Sequence, residues 1–159
     1  MNEPDERGAV PAGDLRDFLH LLEREGELRR VSTEVDWRFE MGAVSRVICE
    51  HAGPAPWFEN VKDYPDQSVA AVLFGPGHAA PLARIALTLG LDKLTPTLDV
   101  IEELRRRFRH PLQPALVSAE RAACKEVVLR GDDLSLLRFP VPWIKEIDGG
   151  RYIGSWDIV

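Results

Sequence analysis

Ser68-Val69-Ala70-Ala71-Val72-Leu73-Phe74-Gly75 is apolar at every position between its terminal serine and glycine. A run without polar alternation predicts a strand buried on both faces, as in a mixed sheet covered by helices. Upstream, Pro56-Trp57-Phe58-Glu59-Asn60-Val61 reads as a second strand, joined to the first by a turn around Tyr64-Pro65-Asp66. A sheet of this kind needs helices, and the flanking sequence supplies them. Leu15, Phe18, Leu19 and Leu22 fall at i, i+3, i+4 and i+7 behind Asp14 as N-cap, with Gly26 as the stop. Leu28 to Val35 follows as a strand. Glu40 to His51 follows as a helix with Met41, Val44, Val47 and Ile48 inward and Gly53-Pro54 after it. The pattern places Phe18, Leu22, Val44, Val72 and Phe74 together in one core.

Beyond the central run, His78 to Gly90 reads as a third helix and Thr95-Pro96 opens a fourth, with proline at its first position. Leu98, Ile101, Leu104 and Phe108 make the fourth helix's apolar face. On its other face Glu102 precedes Arg106, and Glu103 precedes Arg107, by one turn. After His110-Pro111 the texture changes. Pro114 to Ala123 is a connector, Lys125 to Leu129 a short strand and Gly131-Asp132-Asp133 a turn. Pro140 and Pro142 then hold an extended segment that reverses at Asp148-Gly149-Gly150 and runs into the β-branched and aromatic stretch from Tyr152 to Val159. A strand that ends inside an apolar run leaves an unsheltered edge, which predicts that more chain, or a partner, completes the sheet. The organisation expected is an acidic, disordered leader over 1–13, an α/β domain over 14–112 and the first strands of a β-rich domain over 113–159.

The 159 residues, 45% apolar and 29% charged, are those of an ordinary globular chain, and the net charge of −6 argues against a phosphate-backbone binder. No run reaches transmembrane length, and the first thirteen residues lack the basic and apolar parts of a signal peptide. With only Cys49 and Cys124, far apart, free thiols in a reducing cytoplasm are expected.

His20, His51, His78 and His110 show no metal-ligand spacing. The run Arg105-Arg106-Arg107-Phe108-Arg109 suits a helix C-terminus better than an anion patch, because glutamates lie one turn back. Glu146, Asp148 and Arg151, close together beside Gly149-Gly150, read as solvated loop charges rather than a catalytic set. Gly149-Gly150 lacks a nucleotide-binding spacing, and Trp37, Trp57, Trp143 and Trp156 read as packing anchors.

Four motifs nevertheless resemble one family in the same order. Asp14-Leu15-Arg16-Asp17-Phe18 through Gly26-Glu27-Leu28 resembles the opening helix of UbiD-type decarboxylases. Gly53-Pro54-Ala55-Pro56-Trp57-Phe58-Glu59-Asn60-Val61-Lys62 resembles that family's strand, and Ala86-Leu87-Thr88-Leu89-Gly90-Leu91 its helix end. Asp133-Leu134 through Phe139-Pro140-Val141-Pro142, with Asp148-Gly149-Gly150-Arg151-Tyr152-Ile153-Gly154-Ser155, is similar to the segment leading into its cofactor domain. The resemblance implies an α/β (α+β) N-terminal domain followed by the first strands of an incomplete split β-barrel of the flavin-binding type. It implies reversible, non-oxidative decarboxylation of an aromatic or α,β-unsaturated acid with prenylated FMN, Mn2+ and K+, and a flavin prenyltransferase as cofactor supplier. A cytoplasmic homo-oligomer is expected, with no nucleic acid or membrane as partner. The family's metal ligands and proton-transfer residues lie downstream of Val159, so no catalytic or metal residue carries over to this chain. Ser155 matches a small hydroxyl residue lining the flavin site, with Gly154 and Trp156 as strand neighbours. Two readings follow: the N-terminal part of such an enzyme, inactive alone, or an accessory module that docks a partner through its C-terminal strand. The cut inside a strand favours the first.

Overall fold

The computed structural model describes residues 13–151 and 153. Helix α1 (Leu15–Arg24) leads through a tight stop into strand β1 (Leu28–Val31), followed by helix α2 (Glu40–Glu50) and strand β2 (Ala55–Phe58). Strand β3 (Val69–Ala70), helix α3 (Ala83–Thr88) and helix α4 (Thr97–Phe108) complete the α/β part. The sheet order is β1-β2-β3, with β1 parallel to β2 and β2 antiparallel to β3. The register sets Leu28 beside Ala55 and Phe58 beside Val69.

Helix α1 forms where its local signals say it should. The Asp14 carboxylate accepts the Asp17 N–H at 2.9 Å, satisfying one orphan donor of the first turn. At the other end Gly26 sits at φ +75°, Gly26 N–H donates to Glu23 O and Glu27 N–H to Leu22 O. Those two bonds are the Schellman stop that glycine makes cheap. Phe18, Leu19 and Leu22 are buried against Leu28, Ala55 and Leu87, whereas Leu15, at the edge of the expected stripe, is exposed. A second cluster joins Val35, Met41, Phe58 and Val61, and a third joins Ala86, Leu89 and Val100. Among the described residues the core is therefore three adjoining clusters around a small sheet.

The central apolar run does not make the long strand its composition predicts. Only Val69 and Ala70 pair; Val72 lies at φ +59° and turns the chain, and Phe74 is 63% exposed, its ring 5.8 Å from that of Phe18. Of the five residues expected to share a core, Phe18 and Leu22 are buried, Val44 and Val72 half-buried and Phe74 exposed. The turn has a tertiary cause: the chain from Gly75 to Leu82 folds back over a buried ion pair. For the same reason the third helix starts at Ala83 rather than His78. The His78 and Ala79 amides are held by a side chain, and Pro81 has no N–H to give.

Helix α4 starts at Thr97, but its buried side is not the one expected. Leu98 is 73% and Phe108 80% exposed, Ile101 is also exposed and Leu104 half-buried, while Val100 is fully enclosed. Val100 and, in part, Leu104 meet the α3 cluster, while Leu98, Ile101 and Phe108 of the expected stripe face outward. Glu103 pairs with Arg107, as expected, and also with Arg106, each at 2.7 Å. The other strands also end earlier than read, β1 at Val31 and β2 at Phe58. Val47, expected inward on α2, is exposed. Lys125 to Leu129 is not a strand; Ala123–Lys125 is a single 3-10 turn, followed by irregular chain.

Candidate functional site

Two arrangements of polar side chains stand out from the ordinary surface. The first is Glu27 with Arg84, both fully buried. The Gly26 stop turns Glu27 inward, where its carboxylate accepts the His78 N–H at 2.7 Å and the Ala79 N–H at 2.6 Å. Arg84 approaches it at 3.6 Å and donates to the carbonyls of Glu27, Gly53 and Pro76. Burial lowers the arginine's proton affinity, and the Glu27 charge opposes that. The pair thus fastens the end of α1, the approach to β2 and the loop before α3 at one point. Only Nη1 and Nη2 of Arg84 donate to these carbonyls, and the buried Nε has no partner among the described residues; the guanidinium is fully enclosed and offers no open face to a ligand from solvent.

The second arrangement holds the segment 137–151 against the α/β part. Tyr64 Oη donates to Leu137 O at 2.7 Å, and Gln67 Nε2 to Arg138 O at 2.8 Å. Trp143 N–H donates to Trp37 O at 3.0 Å, and Phe39 N–H to Trp143 O at 2.8 Å. Gly42 is required where the segment crosses α2, since a Cβ there would stand 2.5 Å from Ile144 O. Arg151 closes the arrangement. Its guanidinium lies 4.2 Å from the Trp37 ring centre and 5.5 Å from that of Tyr64. It donates to Val141 O at 2.7 Å, Phe139 O at 2.8 Å and Tyr64 Oη at 2.7 Å.

Glu146, Asp148 and Arg151, read from sequence as three loop charges, therefore separate. Glu146 is exposed, Asp148 caps a turn by accepting the Lys145 N–H at 2.9 Å, and Arg151 is a tertiary staple. Glu27, Arg84, Tyr64 and Gln67 were not singled out by sequence. Glu27 alone carried a signal, since it sits within the Gly26-Glu27-Leu28 motif.

Among the described residues no group of three or more His, Cys, Asp or Glu side chains could hold a metal ion. Gly154, Ser155 and Trp156, the expected flavin-lining positions, lie outside the described residues, as does most of the expected terminal strand. A depression of about 570 Å³ beside α4 is lined by Asp99, Glu102, Glu103, Arg105 and Arg106, an open charged surface without a buried polar anchor. Cys49 and Cys124 are both free thiols, and no helix among the described residues is long and apolar enough to cross a membrane.

A family model described as the 3-octaprenyl-4-hydroxybenzoate carboxy-lyase N-terminal domain, UbiD_N, matches residues 19–107, more than half of the chain. The chain belongs to the UbiD family. Pyrrole-2-carboxylic acid decarboxylase of Pseudomonas aeruginosa is 38% identical over 149 residues, covering 90% of this chain and 29% of that protein. The open form of vanillic acid decarboxylase from Sedimentibacter hydroxybenzoicus superposes with a TM-score of 0.77 at 40% identity, over 88% of this chain and 29% of that one. An evolved dimeric form of the UbiD-class enzyme HmfF from Pelotomaculum thermopropionicum, in complex with prFMN, gives 0.61 at 27% identity, over 89% of this chain and 30% of that one. This UbiD chain thus spans about 30% of the length of the relatives it matches.

Proposed function

We propose that this chain is the N-terminal part of a UbiD-type enzyme that removes CO2, reversibly and without oxidation, from an aromatic or α,β-unsaturated carboxylic acid. The observation that carries the reading is the likeness to vanillic acid decarboxylase, at 40% identity over 88% of the chain. Prenylated FMN is the proposed cofactor, supported by the prFMN complex of HmfF, with Mn2+ and K+ beside it and a flavin prenyltransferase as its supplier. The chemistry suits such a cofactor: loss of CO2 leaves an electron pair on carbon, and prenylated flavin, when bound, supplies an electron sink that no side chain offers. The proposed domain division is 14–112 for the α/β unit and 113–159 for the start of a split-barrel cofactor domain. Ser155, flanked by Gly154 and Trp156, is proposed to contact the flavin there. The catalytic groups belong to the remaining length of the enzyme, so residues 1–159 alone are proposed to be inactive. A cytoplasmic homo-oligomer completes the reading.

The test uses the complete protein, co-produced with a flavin prenyltransferase and supplied with Mn2+ and K+. Release of CO2 from pyrrole-2-carboxylic or vanillic acid, and uptake of labelled bicarbonate in the reverse direction, is the expected result. No flavin retained and no turnover across a panel of aromatic and unsaturated acids would overturn it.

A further inference from the structure

We propose that the outer face of α4 is the surface through which two copies of this chain pair, antiparallel and across a two-fold axis. This rests on the homo-oligomer of the reading above and not on the flavin chemistry. Val100 and Leu104 turn to the α3 cluster, which leaves Leu98, Ile101 and Phe108 exposed. Leu98, Ile101, Arg105 and Phe108 succeed one another at three, four and three residues, the spacing by which one helix lays a seam on another. The seam is self-complementary. Leu98 with Phe108 and Ile101 with Arg105 are both centred on position 103, and exposed Leu94 and Leu112 lie equally far before and after it. An antiparallel two-fold pair therefore sets Leu98 of one copy on Phe108 of the other and Ile101 on the apolar stem of Arg105, each contact occurring twice.

Charge selects this partner and this direction. Asp99 and Glu102 lie toward the start of the helix, Arg105 within its last turn and Arg109 at its C-cap. All four are exposed, and none has an ion-pair partner among the described residues. Antiparallel pairing brings the acidic half of one helix against the basic half of the other, whereas parallel pairing sets like against like. The open depression along α4 is lined by these same four charges and has no buried polar group to hold a small ligand. The surface thus suits a second protein face rather than a substrate.

Two charge-swapped variants of the complete protein test the pairing. Asp99→Lys with Glu102→Lys leaves only cations at the four positions, and Arg105→Glu with Arg109→Glu leaves only anions. Each variant alone repels its own copy, so its assembly mass in sedimentation equilibrium is expected to fall to about half that of wild type or less. Mixed in equal amounts, the two are expected to restore the wild-type mass, because every acidic half then meets a basic one. Phe108→Gln, which alters no charge, is expected to weaken association by about tenfold. Far-UV circular dichroism equal to wild type checks that each variant folds, and if a charge-swapped one does not, Phe108→Gln decides. Unchanged association in the folded variants would overturn the proposal. A loss of assembly that mixing does not restore would also overturn it, and would assign the face to another part of the enzyme or to a different protein. A wild-type protein that is monomeric at every concentration overturns the oligomer reading and this interface with it, whereas an oligomeric wild type with unmoved variants overturns the interface alone.

Discussion

Glu27 and Arg84 cannot be removed singly without leaving the other's charge in a dry site. Glu27→Gln keeps the shape but withdraws the charge facing Arg84, and turns an amide N–H₂ toward one of the two backbone donors at 78 and 79. The expected loss is about 3 kcal/mol, read as a lower urea midpoint at constant slope. Adding Arg84→Met removes the stranded cation, so the double variant should lose less than the sum of the two singles. An additive cycle would mean that the two side chains do not sense each other. Nothing in the sequence could reveal this pair, because carboxylates and guanidinium groups are ordinarily surface groups and Arg84 lies 57 residues beyond Glu27. Arg151 was hidden for the same reason: a staple is defined by Trp37 and Tyr64, whose arrival beside it only the fold determines.

Helix α1 was legible end to end because every signal it needs is local: an N-cap, an apolar stripe and a glycine stop. Gly26→Ala tests the last of these. The added Cβ would touch nothing within 4 Å, so the expected loss of about 1 kcal/mol is the left-handed backbone cost alone. A melting temperature equal to wild type would show that the φ of +75° relaxes without cost. Helix α4 shows where local pattern misleads. Periodicity picked out its larger apolar stripe, yet of that stripe only Leu104 packs, half-buried, against the cluster of Ala86 and Leu89, whose fully enclosed α4 member is Val100. Phe108→Gln should therefore leave stability within about 0.5 kcal/mol, while Val100→Asp, an unpaired charge in the third cluster, should unfold the unit. The charged side of α4 carries a pH signature. Hydrogen bonds from Arg106 and Arg107 hold the Glu103 carboxyl at about 2, below its ordinary 4.5. A depressed folded-state value stabilises above the unfolded value and is lost as pH falls from about 4.5 to about 2. Helical signal should decline over that window, and Glu103→Gln should remove that part of the decline. The effect is small, because both arginines are solvent-exposed.

At the scale of the whole molecule, the order of helices and strands to Phe108 follows the sequence, and the failures concentrate where distant chain decides the outcome. The run 68–75 carries strand composition, but the loop folded over Glu27 pulls its second half out of the sheet. Beyond Pro111 the chain changes character, as its proline and glycine content foretold, without forming the expected strand at 125–129. Residues 112–136 are almost wholly exposed, and their backbone bonds are confined to short local turns such as Arg121 to Ser118 and Leu134 to Gly131. Leu112, Leu116, Val127, Val128, Leu134 and Leu136 all face outward. So much exposed apolar surface on one segment marks it as an interaction surface. Amide exchange on the 159-residue chain should divide accordingly. Slow exchange is expected at Ala55 and Val35, whose N–H groups bond across the sheet region to Glu27 and Asn60, and near-free exchange over 112–136. Protection should return at Trp143, where the segment docks again on Trp37. If the remaining length of the enzyme proposed above covers their apolar side chains, the same 112–136 amides slow in the complete protein. Strong protection of 112–136 in the short chain would show pairing with a second copy, and equal, rapid exchange in both proteins would show that nothing covers this segment at all.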